Sequence, residues 1–141
     1  MRIALVLLAG AFALASCGKS ETPPADSPAG EAVPVPPIAP TAAMGEQVFK
    51  RCVACHTIDK GGRNGIGRNL HGVVGAAVAA KPDFSYSSAM KAKGGVWDEA
   101  ALDTYLEAPM KAVPGTRMAF AGVIDAADRK ALILYLEAQS K

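Results

Sequence analysis

The chain is poor in aromatic residues, with one Trp, three Tyr and four Phe in 141 residues. A domain of about a hundred residues with so few rings builds only a modest core of its own, and a large bound group would help to fill it. No apolar run reaches the roughly 20 residues that a membrane-spanning helix needs; Ile3 to Ala15 is apolar over 13. No segment alternates apolar and polar residues as a half-buried strand would, so the expected fold class is all-α. An excess of one charge sign is also missing. The formal charge is +2, too small to point to nucleic acid as a partner. Two of the 15 basic and three of the 13 acidic residues precede position 43, leaving 13 against 10 in the remainder. With three Cys and two His, a four-ligand zinc site has few residues to draw on.

What is present falls into three parts. Arg2 followed by the apolar run reads as a signal peptide over 1–16. Leu14-Ala15-Ser16-Cys17 resembles a bacterial lipobox, which implies that Cys17 is lipidated and becomes the first residue of the mature chain. Ordinary cleavage after Ala13-Leu14-Ala15 is the alternative, giving a soluble periplasmic protein, but it leaves Cys17 as an unexplained thiol in an oxidising compartment. Residues 17–42 form the anchor and a linker; 18–42 hold seven of the ten prolines and no aromatic residue. Such a stretch buries too little apolar surface to offset its ordering entropy. Its reach lies between ~30 Å as a coil and ~80 Å as polyproline.

Residues 43–141 read as helices joined by Gly-rich loops. The spacing predicts a first helix from Met44 to Ala54 with Thr41 as its cap, and a short one from Ser85 to Lys93 that Gly94 ends. A third is capped by Asp98, runs through Glu107 and is stopped by Pro109. The last is capped by Asp125 and carries Ala131, Leu132, Tyr135 and Leu136 at helical spacing.

Cys52-Val53-Ala54-Cys55-His56 is a C-x-x-C-H sequence, the attachment signature of one covalent c-type haem. One helical turn points both sulfurs the same way, each able to form a thioether with a vinyl group, and brings the following imidazole within reach of iron. A redox dithiol would want a βαβ context, which is absent. Zinc would need Cys52, Cys55, His56 and His71 together. A carrier needs a second axial ligand, for which Met44, Met90, Met110, Met118 and His71 are candidates.

Residues 45–141 resemble class I cytochrome c, the mitochondrial type and its small bacterial relatives. The resemblance is carried by Gly45-Glu46-Gln47-Val48-Phe49, Cys52 to Gly62, Asn69-Leu70-His71-Gly72, Phe84-Ser85-Tyr86, Trp97 and Tyr105-Leu106-Glu107. It continues through Pro109, Pro114 to Gly122 and Tyr135-Leu136. It implies a class I cytochrome c fold, with helices wrapped around one haem. It also implies that His56 and Met118 are the axial pair; for Met44 and Met110 the expected role is the ordinary one of a methionine, core filling. Tyr86, Trp97 and Thr116 match positions around a buried propionate, and Tyr105 matches the ring whose hydroxyl touches the axial sulfur. Phe120 matches the aromatic beside the exposed haem edge, and His71 a histidine that braces a loop. Gly45 and Phe49 match residues where the first helix crosses the last, against Leu132 and Tyr135.

The sequence departs from that pattern at three places. Arg68 stands where the family usually has the proline whose carbonyl accepts a hydrogen bond from the ligating imidazole; any residue offers that carbonyl. Ala76 replaces an arginine near the buried propionate, a loss expected to lower the potential. Met90 replaces an asparagine beside an internal water, so a reduced water network is expected there. The basic ring of the mitochondrial type survives in part, as Arg51, Arg63, Lys111 and Arg117 around Phe120. Gln47, Gly65, Met110, Ile124 and Asp125 interrupt it. The implied function is a membrane-anchored one-electron carrier, not an enzyme, that works as a monomer. It would run from a cytochrome bc complex to a haem–copper oxidase or reaction centre. A haem enzyme would need an open iron position and a distal acid–base group; a dedicated subunit of one respiratory enzyme is a further alternative.

Overall fold

The computed structural model describes residues 38–141. The signal peptide, Cys17 and most of the Pro-rich segment lie outside the described residues. Five helices follow in order, α1 (Ala42–Phe49), α2 (Ser88–Lys93), α3 (Glu99–Glu107), α4 (Pro109–Ala112) and α5 (Ala126–Ala138). No strand forms among the described residues, and one isolated antiparallel bridge pairs Ala77 with Val96. Four helices start on a side-chain cap that satisfies an orphan N–H. The amides of Met44, Met90, Ala101 and Asp128 donate to Thr41, Ser87, Asp98 and Asp125.

Three boundaries differ from the sequence expectation, one of them the start of α1 at Ala42 rather than Met44, and one short helix, α4, is additional to it. The first helix stops at Phe49 rather than Ala54, because its hydrogen bonds tighten. Lys50, Arg51 and Cys52 donate three residues back, to Gln47, Val48 and Phe49. The second starts at Ser88, one residue after its cap at Ser87. Pro109 ends α3 and then opens α4, where a missing N–H is not needed and its fixed φ suits the first turn.

The core is set by the crossing of α1 and α5. Gly45 is the contact point: a Cβ there would overlap the carbonyl of Ala131 and lie 2.8 Å from Cβ of Tyr135. Beside it, the rings of Phe49 and Tyr135 pack at 5.2 Å. Leu132 of α5 is 1 % exposed in the same core. Val48, Leu102, Leu106, Ile133 and Leu136 continue the same cluster. Met44 and Met110 are exposed instead of filling it, so the packing role expected of both is corrected: each sits on a helix face that turns to solvent.

Arg129 ties three elements together. It is 7 % exposed; its Nε donates to Asp103 on α3 at 2.8 Å, and Nη1 donates to the carbonyls of Val123 and Ile124 at 3.0 and 2.8 Å. Arg129→Ala leaves those acceptors and a carboxylate without their donor. It is expected to cost about 2–3 kcal/mol of stability, read as a lower denaturant midpoint with an unchanged m-value.

Candidate functional site

The segment Arg51 to Cys55 is a turn that continues α1 without its regular hydrogen bonds. Cys55 and His56 both donate from the backbone to the carbonyl of Cys52, at 3.0 and 2.9 Å. Positions i, i+3 and i+4 therefore share one face of the turn. Cys52 is half-buried and Cys55 exposed. Burial pushes the Cys52 thiol up; the Arg51 charge lowers it and Cys55 raises it further.

His56 is held by its own loop. Its Nδ1 lies 2.7 Å from the carbonyl of Arg68. A carbonyl only accepts, so Nδ1 carries the proton and Nε2 keeps a free lone pair. Burial holds the imidazole below its ordinary pKa, opposed by this hydrogen bond and reinforced by the Arg68 charge. The neutral, ligand-competent form is therefore the one favoured at neutral pH. Space for the ring is made by Gly67, whose Cβ would lie 2.7 Å from Nδ1 and Nε2.

Asn69, 1 % exposed, organises the loop around this contact. Its Nδ2 donates to Thr57 Oγ1 at 2.7 Å and to the carbonyl of Asp59 at 3.1 Å. Its Oδ1 accepts from the backbone of His71 at 3.0 Å, and its own amide donates to Asn64 Oδ1 at 2.8 Å. His71 is thus placed through its backbone. In the sequence Asn69 stands out only as part of a matching segment, because four short bonds to scattered partners leave no periodic signal.

The second group of residues gathers around Met118. The Tyr105 hydroxyl donates to Met118 Sδ at 3.4 Å and lies 3.1 Å from Thr116 Oγ1. Thr116 Oγ1 also accepts from the amide of Met118 at 3.3 Å. Burial raises the Tyr105 hydroxyl above its ordinary pKa, partly offset by the bond to Thr116. Trp97 is buried and packs on Tyr105 at 4.9 Å, with the Lys93 ammonium 4.9 Å from its ring centroid. Trp97 is positioned by backbone pairing, since its N–H donates to Ala76 and its carbonyl accepts from Gly75, both at 2.9 Å. Tyr86 packs edge-on against Phe84 at 4.9 Å, and its hydroxyl accepts from the amide of Lys81 at 3.4 Å. Cys52, Tyr86, Met118 and Phe120 all pack against the one core that contains Trp97 and Tyr105.

The four cations expected at a docking face do not behave alike. Arg63, Lys111 and Arg117 are exposed, whereas Arg51 pairs with Asp128 at 3.5 Å. Ile66 and Ile124 are 82 % and 74 % exposed, and Met110 is also open to solvent. Among the described residues, no group of three or more His, Cys, Asp or Glu side chains is placed to hold a metal ion. The zinc alternative loses its ligand set by that geometry. No helix among them is long and apolar enough to cross a membrane.

Two thiols on one turn beside a neutral imidazole with a free Nε2 define a helical protein for covalent haem attachment. A family profile described as Cytochrome c matches residues 42–140, and the chain belongs to that family. It is similar to a cytochrome c2 of Rhodomicrobium vannielii, 46 % identical over 95 residues that cover 67 % of this chain and 76 % of the relative. A cytochrome c2 of Agrobacterium tumefaciens is 44 % identical over 97 residues, covering 67 % and 87 %. Among solved structures, cytochrome cH from Methylobacterium extorquens superposes with a TM-score of 0.65 at 41 % identity, covering 70 % of this chain and 98 % of that one. The fold is therefore that of class I cytochrome c. The chain binds one covalent c-type haem through a motif that Cys52 and Cys55 fit, and it is an electron carrier rather than an enzyme.

Proposed function

We propose that the chain is a lipid-anchored electron shuttle on the periplasmic side of a bacterial membrane. It would take electrons from a cytochrome bc complex and deliver them to a haem–copper oxidase or a photosynthetic reaction centre. In this reading residues 1–16 are removed, Cys17 carries the lipid, 17–42 is the tether and 43–141 is the carrier domain. Cys52 and Cys55 supply the thioethers, His56 Nε2 and Met118 Sδ the axial pair. The observation that carries the axial assignment is complementary. His56 spends its proton-bearing nitrogen on the carbonyl of Arg68, and Met118 Sδ is held by Tyr105 through one lone pair. Each keeps its remaining lone pair for iron. When bound, the haem supplies a one-electron couple reached through its edge.

The chain's residues hold and screen that group. Tyr86, Trp97, Tyr105 and Thr116 wall it off from water, and the carbonyl of Arg68 fixes the imidazole. The contact face is Arg63, Lys111, Arg117 and Phe120, with Arg51 partly engaged by Asp128. Exposed Ile66, Met110 and Ile124 support a mixed apolar and weakly basic surface. Such a face steers less over distance than a full lysine ring. A tether supplies high effective concentration in its place.

Oxidation of the reduced protein by isolated membranes, with and without terminal-oxidase inhibitors, tests the assignment. Inhibitor-sensitive oxidation is expected, falling less than roughly tenfold between low and moderate salt. A rate that collapses over that salt range contradicts the proposed face, and oxidation indifferent both to the inhibitors and to light contradicts both proposed acceptors. Full-length protein that lacks acyl chains at Cys17 would establish the soluble alternative.

A further inference from the structure

Among the described residues one buried side-chain donor has no partner, Nη1 of Arg68. The residue is 7 % exposed, and its Nε donates to the carbonyl of Asn69 at 2.9 Å. A guanidinium stays charged at any ordinary pH, and a buried charge is costly unless compensated. The ion pairs of the described residues are Arg51–Asp128, Arg129–Asp103 and Lys130–Glu99, none of which includes Arg68. The protein thus places a fixed, uncompensated cation at the residue whose carbonyl accepts the proton of His56. Proline, the residue usual in the family here, offers the same carbonyl and no charge. Eight positions later Ala76 lacks the cation expected near the cofactor's carboxylates.

We propose that Arg68 is an electrostatic partner of the bound haem, its buried guanidinium favouring the ferrous state in place of the positive charge absent at Ala76. The inference rests on the haem and His56 reading above. It makes one residue act in two opposed ways. The carbonyl draws on the Nδ1 proton and so strengthens the imidazole as a donor to ferric iron. The side chain brings positive charge, which favours the reduced and less positive centre. Because the charge is buried, its effect survives salt.

The test is a redox titration of the holoprotein as wild type and as Arg68→Lys, Arg68→Gln and Arg68→Pro, at low and high salt. All variants keep a backbone carbonyl at position 68, so the His56 Nδ1–H resonance reports that bond separately. At the potential where wild type is half reduced, the ferrous-to-ferric ratio is expected to fall roughly tenfold in Arg68→Gln and Arg68→Pro. Arg68→Lys should retain most of the wild-type ratio, and the differences should persist at high salt. Should Arg68→Gln fail to fold, Arg68→Pro carries the test, since it restores the family's residue. An unchanged ratio in the neutral variants overturns the inference. So does a Lys variant that falls as far as they do, or a shift abolished by salt. Failure of the underlying haem reading would show in the wild type itself, as a missing one-electron couple.

Discussion

Replacing Met118 by alanine is expected to open the iron site and turn a carrier into a ligand-binding protein. The thioether is set in place by a chain of contacts: the Tyr105 hydroxyl donates to Sδ at 3.4 Å, and Thr116 Oγ1 accepts from the Met118 amide at 3.3 Å. No other sulfur or imidazole can take its position without rebuilding the fold. Met90 is a buried residue of α2, Met44 and Met110 are exposed on α1 and α4, and His71 is fixed through its backbone to Asn69. Met118→Ala should therefore lose the methionine-to-ferric-iron charge-transfer band entirely and bind carbon monoxide stoichiometrically. Its potential should fall with loss of the thioether. Truncating a half-buried side chain adds about 2 kcal/mol of lost stability. Met118→His is the control: it should keep six-coordination and exclude carbon monoxide, yet still lower the potential. A Met118→Ala protein with the band intact would assign the sixth ligand elsewhere.

The second large effect is expected at Gly45→Ala. Most core substitutions meet side chains that can turn aside, but the obstacle here is backbone. The added methyl would overlap the carbonyl of Ala131 in α5 and crowd Cβ of Tyr135. Relief requires the two helices to separate, which also pulls apart the Phe49–Tyr135 ring contact. Overpacking of this kind costs about 3 kcal/mol, read in denaturant titrations of the holoprotein. Because α1 leads directly into the Cys52 turn, the yield of covalently loaded protein should fall as well. Truncation of the Tyr135 ring beyond Cβ should not rescue it, since the carbonyl stays where it is. A Gly45→Ala protein within about 0.5 kcal/mol of wild type, the usual range for surface changes, would mean that the crossing tolerates separation.

Much of this arrangement was legible in the sequence where a local rule applied. Thr41, Asp98 and Asp125 announce helix starts because capping is a three-residue interaction. Cys52, Cys55 and His56 announce attachment because the spacing itself is the chemistry. Local rules gave out where hydrogen bonds change type, so α1 was expected to reach Ala54 although its ladder tightens after Phe49. They gave out again where partners are far apart in the chain. Arg51 reads as a free docking cation, and only the fold brings Asp128 to it across 77 positions. Arg129 carries no local signal of its role and is the buried tie between α3, α5 and the loop before α5. Arg68 was visible as an unusual residue, but its burial and its unpartnered Nη1 belong to the packed structure.

The most direct test of the account is a spectroscopic redox titration of the intact holoprotein, repeated under carbon monoxide. The account predicts haem that stays with the chain after denaturation, a reversible one-electron couple, and no carbon monoxide adduct in the ferrous state. Haem released by denaturation would contradict attachment through Cys52 and Cys55. A carbon monoxide adduct formed on mixing would contradict the closed His56–Met118 centre, and with it the reading of this protein as a simple carrier.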